Sequence, residues 1–404
     1  MSRLENTVRL YPALRAASGF LAWIPVFFLY LSSHWSLSAV LTLSGLYYIT
    51  VFVLEVPSGY LSDRLGRRPT LLLGAGFALL ASLLFVLAGQ WWVFVAANMA
   101  LAASIALQSG SDTALHYDAL KSLGREEEYQ AREARAETWG MVSLAAACLL
   151  GGALGSLDLR LAYALSACGA LVAILLLLRM QEPPASDTAA PAFFTTLGQC
   201  IGRLRDPLLA WVFAAMIGLY ALAHIVYELY QPFTTAITDT LAIPLPAPAL
   251  SGLIIGASMF GGALAAQLSV AWRAALGLFG LIAVATVLQA GVALALAVGG
   301  GVFGLLLVTL RNFPMSLLHA PVNDAIAPRI SSAQRATFLS LLSLLERLVF
   351  ALLLFGLGAL FAGGDPASAA NVQPLLFATL ALAAIGALVL VLAVPAARRA
   401  LDAP

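Results

Sequence analysis

Ionisable and amide side chains sit inside stretches of this sequence that are otherwise apolar, and these residues are the candidates for chemistry. Arg311 and Asn312 stand midway along one apolar run, three residues before Pro314. Glu346 and Arg347 are adjacent in the next run, so on a helix they point about 100° apart. His224, Tyr227, Glu228 and Gln231 recur at three- and four-residue spacing ahead of Pro232, which puts them on one helix face. Glu55 lies in Leu54–Gly59, and Asp112, His116, Tyr117 and Asp118 close another apolar run. The planar guanidinium of Arg311, with Asn312 beside it, suits an anionic group on a small molecule; an ion pair with Glu346 at similar depth is the alternative. Glu228, Glu346, Glu55 and Asp112 are candidate proton carriers, because a desolvated carboxylate gains from taking up a proton. For Glu55, bonding to the loop that follows is the competing role; Asp112, His116, Tyr117 and Asp118 together read first as neutralising Arg64, Arg67 or Arg68 and second as a gate. His224 and Tyr227, with Trp23 and Tyr30 earlier in the chain, are candidate binding residues, and packing is the alternative for the two aromatics.

Other chemistries lack their residues. No Ser-His-Asp arrangement or metal-ligand spacing occurs, and Gly299-Gly300-Gly301 lacks the Lys-Ser/Thr of a phosphate cradle. Cys148, Cys168 and Cys200 have no metal spacing and read as small packing residues. Neither a metal nor a cofactor is expected, and the chain does not read as an enzyme.

Each candidate must be positioned by a helix in a membrane. The chain has 404 residues, 61% hydrophobic and 10% charged, with mean hydropathy +0.94. Soluble domains carry roughly 25% charged residues. A net charge of +1 suggests no nucleic-acid partner. A crossing needs ~20 mostly apolar residues, and twelve segments qualify. They lie near 14–32, 39–58, 70–89, 92–115, 138–156, 160–179, 208–231, 249–270, 274–296, 301–320, 337–361 and 373–395. The stretch Met1–Leu14 is polar and basic, and the run after it lacks a small-residue cleavage site, so no cleavable leader is expected. Of the 21 Lys and Arg residues, all but Arg160, Arg311 and Arg347 fall in alternate loops on one side. Basic side chains near a span resist translocation, so that side is expected to be cytoplasmic, with both termini on it. Trp35, Trp91 and Trp92 fall at the opposite edge, as interfacial aromatics do.

The spans divide into a bundle over 1–180, a cytoplasmic linker over 181–207 and a second bundle over 208–404. In the linker, Phe193, Phe194, Leu197, Ile201 and Leu204 recur at helical spacing beside Arg203 and Arg205, which predicts a short helix on the inner leaflet. The halves echo one another weakly: Asp112-Thr113-Ala114-Leu115 corresponds to Asn323-Asp324-Ala325-Ile326. Duplicated six-helix halves point to a transporter, with the site at their interface.

The loop after the second span reads Gly59-Tyr60-Leu61-Ser62-Asp63-Arg64-Leu65-Gly66-Arg67-Arg68. It resembles the signature loop of the major facilitator superfamily, G-x-L-x-D-R-x-G-R-R/K, at every marked position and in the expected place. The resemblance implies an all-α membrane fold of twelve helices in two pseudo-symmetric six-helix bundles. It also implies a conformational latch at Gly59, Asp63, Arg64, Gly66, Arg67 and Arg68. The second-half counterpart, Gly262–Gln267, has no acidic residue. A fifth-span exporter pattern of the superfamily is echoed loosely by Gly140 and Gly151-Gly152-Ala153-Leu154-Gly155, without its proline. The expectation is a monomeric secondary transporter of a small organic solute in a plasma or bacterial inner membrane. Proton-coupled export of amphipathic compounds is its first form, and import or facilitated passage of a small anionic metabolite its second. A membrane scaffold, sensor or enzyme is the reading of another class.

Overall fold

The computed structural model describes residues 3–184, 193–241, 244–299, 301–330, 332–361 and 368–402. The expected linker therefore lies partly outside the described residues. The elements are helices throughout: α1 (Arg3–Ser18), α2 (Phe27–Ser32), α3 (Leu37–Leu65), α4 (Arg67–Leu87), α5 (Trp91–Gln108), α6 (Ser111–Ser122), α7 (Tyr129–Gly155), α8 (Leu159–Arg179), α9 (Phe193–Arg203), α10 (Pro207–Leu229), α11 (Gln231–Leu241), α12 (Ala247–Ala297), α13 (Gly301–Val308), α14 (Phe313–Ile326), α15 (Ser332–Leu360) and α16 (Ala369–Asp402).

Among the described residues, ten helical stretches are long and apolar enough to cross a membrane. The 51-residue α12 joins two expected spans through a break at Gly277, whose φ of 69° suits a residue without a side chain. The first expected span, 14–32, is not one helix. It is interrupted between Ser18 and Phe27, where Gly19 and Pro25 flank irregular backbone. With α12 counted twice and the broken first span added, the twelve crossings are accounted for.

The helices form two compact units: Met1–Thr188 with Pro244–Gly256, and Ala189–Ile243 with Ala257–Pro404. In unit 1, α4 packs on α5 and α8, α3 on α5, and α1 on α7 and α8. Water does not drive helices together in lipid, so close packing of small residues must. The glycine run of α7 shows how. A Cβ on Gly151 would run into the backbone carbonyl of Ala22, in the interrupted stretch. One on Gly152 would lie 2.5 Å from the Pro248 carbonyl oxygen, and one on Gly252 2.5 Å from that of Cys148. Ser251 Oγ donates to the Pro25 carbonyl at 2.6 Å. The run loosely resembling an exporter pattern thus has a packing cause here.

Unit 2 is built around α10, which packs on α14, α15 and α16. Asp206 caps α10 by accepting from the backbone N–H of Leu208 (2.8 Å), and Pro207 follows in the first turn. Arg329 donates to the same carboxylate at 2.7 Å and to the Ala400 carbonyl. The predicted helix of the linker is α9; it buries Cys200, packs Leu197 and Leu204 against the core of unit 2, and leaves Ile201 exposed. On α16, Leu382, Ile385, Leu388, Val389 and Leu392 are all exposed, an apolar surface of the kind that faces lipid.

Candidate functional site

Three polar assemblies are set into these helices. The first is the loop between α3 and α4. Gly66 ends α3 with φ 100° and starts α4. The Glu182 carboxylate, just past α8, accepts from the backbone N–H groups of Arg67 and Arg68, both at 2.7 Å. An anion there meets two donors and the positive end of the α4 dipole. The Arg67 guanidinium donates to Asp63 (2.6 Å), Ser62 (3.1 Å) and Asp118 (3.5 Å). Arg68 donates to the last carbonyls of α8, Leu177 (2.7 Å) and Leu178 (3.3 Å), while Arg64 lies over the Tyr60 ring at 5.0 Å. Asp63, Arg64, Gly66, Arg67 and Arg68 are thus engaged within unit 1, whereas a Cβ on Gly59 would be in open space. Glu55, one turn earlier, accepts from Ser109 Oγ at 3.3 Å.

Glu182 also explains Gly66, since a Cβ there would lie 2.7 Å from its carboxylate oxygen. Gly66→Ala combines that clash with a disfavoured φ, so we expect a stability loss of about 1–3 kcal/mol, as for other residues held at strained backbone angles. A melting temperature equal to wild type would mean that Glu182 does not hold this turn. Glu182→Gln, which keeps the size and loses the charge, should fall between the two.

The second assembly lies where α1, α6 and α7 meet. Arg15 forms ion pairs with both Asp112 and Glu137. One turn away, Glu133 accepts from the Tyr11 hydroxyl (3.1 Å) and contacts His116 Nδ1 (2.6 Å). The His116 ring is 1% exposed and stacks on Tyr11 with centroids 4.0 Å apart. Beside it opens a groove of about 1040 Å³ lined by residues including Arg9, Pro12, His116, Glu128, Arg132 and Trp139. This corrects one sequence expectation. Of Asp112, His116, Tyr117 and Asp118, only Asp118 meets the basic loop, through Arg67; Asp112 turns to Arg15 and His116 to Glu133. Sequence reasoning missed Tyr11, Arg15, Glu133 and Glu137. The signal was three pairs at four-residue spacing, Tyr11/Arg15, Asp112/His116 and Glu133/Glu137, each on one helix face.

The third assembly is in unit 2. Helix α13 stops at Val308 and α14 starts at Phe313, so Arg311 and Asn312 occupy a break within one crossing. Pro314 lies in the first turn of α14. The Arg311 guanidinium lies over the Tyr227 ring, 4.6 Å from its centroid, a cation–π contact. Asn312 Nδ2 donates to the buried Ser258 Oγ at 3.2 Å. His224 stacks on Tyr220 at 3.6 Å, and its Nδ1 contacts the Tyr220 carbonyl at 3.0 Å. Glu228 (2% exposed) and Gln231 (0%) are buried on α10 and α11. The expected alternative of an Arg311–Glu346 ion pair is not formed. Glu346 is 8% exposed on α15, and no salt bridge to it is formed among the described residues. Similar depth brought the two together in the sequence, but Arg311 is turned to α10.

Trp23 and Tyr30 lie in unit 1 among aromatic rings. Tyr30 is 1% exposed, donates to the Phe85 carbonyl at 2.6 Å and touches Phe94 and Tyr163. Trp23 stacks on Tyr163 at 6.4 Å. Tyr30 is an interior packing residue of the unit, and Trp23 is half-buried beside it.

Residues 13–352 match the Major Facilitator Superfamily profile, which covers most of the chain and includes the signature loop. The chain belongs to this superfamily and is a multi-pass membrane transporter rather than an enzyme. No curated protein matches it. Among solved structures it is similar to a point mutant of the nucleoside transporter NupG, with TM-score 0.81 and 12% identity, covering 96% of this chain and 99% of that one. It is also similar to a bacterial homologue of the human lysosomal transporter Spinster in an inward-facing, unoccupied conformation (TM-score 0.75, 15% identity, covering 100% and 99%). A D-xylose–proton symporter follows at TM-score 0.66 and 15% identity, covering 95% and 97%. At these identities the likeness is one of fold.

Proposed function

We propose that this chain is a proton-coupled secondary transporter that moves a small amphipathic organic solute bearing an anionic group by alternating access. The observation that carries the reading is Arg311 in a helix break, over Tyr227 and beside Asn312. Discontinuous membrane helices expose backbone and polar groups where a substrate can meet them. A guanidinium with an aromatic ring beneath it suits an anionic group joined to a flat apolar body. His224, on the same face as Tyr227, extends this site. Export is the first direction we propose; import of a small anionic metabolite is the second, favoured by the same Arg311. Glu346 is the proton carrier of choice, because a carboxylate buried within a membrane span is costly unless it takes up a proton. Glu228 is the next candidate, Glu55 and Asp112 being held by Ser109 and Arg15. One similar structure is itself a proton symporter, which supports coupling as a reading of the fold.

The test is a thermal-shift screen of purified protein against aromatic carboxylates, aliphatic carboxylates, nucleosides and lipophilic amines. A ligand at 100 times its Kd should stabilise the folded form by about 2.7 kcal/mol. Aromatic carboxylates should give the largest shifts, and Arg311→Lys should lose them, because Lys keeps the charge without the planar fork. Shifts confined to lipophilic amines would end the anionic reading. In proteoliposomes, Glu346→Gln should abolish gradient-driven flux of the identified solute and retain exchange, and full insensitivity of wild-type flux to a protonophore would remove proton coupling.

The proposed orientation is tested separately. In a protein with its native cysteines replaced, a cysteine at Ser122 should label only from the cytoplasm and one at Ser33 only from outside. Labelling of both from one face would remove the topology proposed from the basic loops.

A further inference from the structure

The cluster where α1, α6 and α7 meet has an unbalanced charge. It holds three carboxylates and one permanent cation: Arg15 pairs with Asp112 and Glu137, while Glu133 contacts His116. With His116 neutral the group carries two excess negative charges; with His116 protonated it carries one. Nearby cations are committed or lie out in the groove. Arg132 donates to Glu128 at 2.7 Å, Arg125 to Glu128 and Glu5, and Arg67 to Asp63 and Asp118, while Arg9 and Arg135 line the groove. Tyr11 and Tyr129 are the other titratable groups against the imidazole, the second with its ring centroid 5.6 Å away. Excess negative charge in a partly desolvated site recruits a cation, and the smallest available is a proton.

We propose that His116 and Glu133 form a proton-binding site of unit 1, in which the imidazole takes up the proton while its Nδ1–H donates to Glu133 Oε2. This rests on the proton-coupled reading above and gives it a titrating position distinct from Glu346. Uptake transfers one proton from groove water to the imidazole, and release returns it; no other bond changes. The proton is lost from Nε2, so the neutral imidazole keeps its Nδ1–H bond to Glu133.

The test is nitrogen-15 NMR of histidine-labelled protein in detergent, titrated between about pH 5 and 9, where imidazole charge changes occur. His116→Gln identifies the resonance among the four histidines. Wild-type His116 should show a protonated imidazole that is lost as pH rises, and Glu133→Gln should weaken its proton affinity about tenfold or more, one pH unit in midpoint. A His116 that stays neutral throughout, or keeps its proton affinity in Glu133→Gln, overturns the proposal. If Glu133→Gln does not fold, Tyr11→Phe is read instead: removing a donor to the carboxylate should strengthen proton binding at His116, and an unmoved midpoint overturns the site. Glu346→Gln should leave this titration unchanged while abolishing gradient-driven flux, so failure at Glu346 and failure here give different results.

Discussion

Gly151→Val is expected to prevent unit 1 from reaching its native packing. A Cβ at this position meets the Ala22 carbonyl, which is backbone and cannot rotate away as a side chain would. Overpacking usually costs roughly 1–3 kcal/mol, and a backbone obstacle places this change at or above the top of that range. Folded yield in detergent, followed by size-exclusion chromatography and thermal unfolding, should fall sharply. Gly76→Ala is the control, because nothing lies within 4 Å of a Cβ there; surface changes of this kind usually stay within about 0.5 kcal/mol. If Gly151→Val melts with wild type, the backbone between Ser18 and Phe27 does not rest on α7.

Arg15→Ala is expected to have the next largest effect. It strands Asp112 and Glu137, whose side chains are 15% and 45% exposed. Removing one partner of a buried ion pair costs about 3–5 kcal/mol, and the exposure of Glu137 argues for the lower end. Arg15→Lys should recover only part, since an ammonium cannot fork to two carboxylates in one plane. The triple variant Arg15→Met, Asp112→Asn, Glu137→Gln should regain much of the loss, because neither former partner of Arg15 is left charged, and Glu133 keeps its contacts with His116 and Tyr11. A melting temperature for Arg15→Ala within a degree or two of wild type would show that water, not Arg15, neutralises these carboxylates.

The helices were legible because runs of about twenty apolar residues can do little else, and the signature loop because its glycines and charges have fixed spacing. The interruption of the first crossing was not legible. Hydropathy averages over Gly19 to Val26 without registering that the backbone there leaves helical geometry to receive Gly151 and Ser251. Arg311 was legible as a charge within an apolar run, but its partner was not, because depth in a span says nothing about which face of the helix a side chain occupies. The cluster around Arg15 was hidden by its surroundings. Arg15 reads as one more cytoplasmic basic residue, and Glu133 and Glu137 follow Glu126-Glu127-Glu128 as if they were part of the same solvated charge run. Only the meeting of three helices turns these charges inward.

The contact between Glu182 and the start of α4 joins residues 115 positions apart. During synthesis the α4 N–H groups therefore emerge long before the carboxylate that caps them. At about 5–20 residues per second, the interval is roughly 6–23 s. Until then Arg67 has Asp63 and Ser62 for partners, and the turn itself lacks the carboxylate that caps it. The signature loop thus acquires its final form only when the last helix of the first half has been laid down, which makes Glu182 a marker of the moment that half is complete.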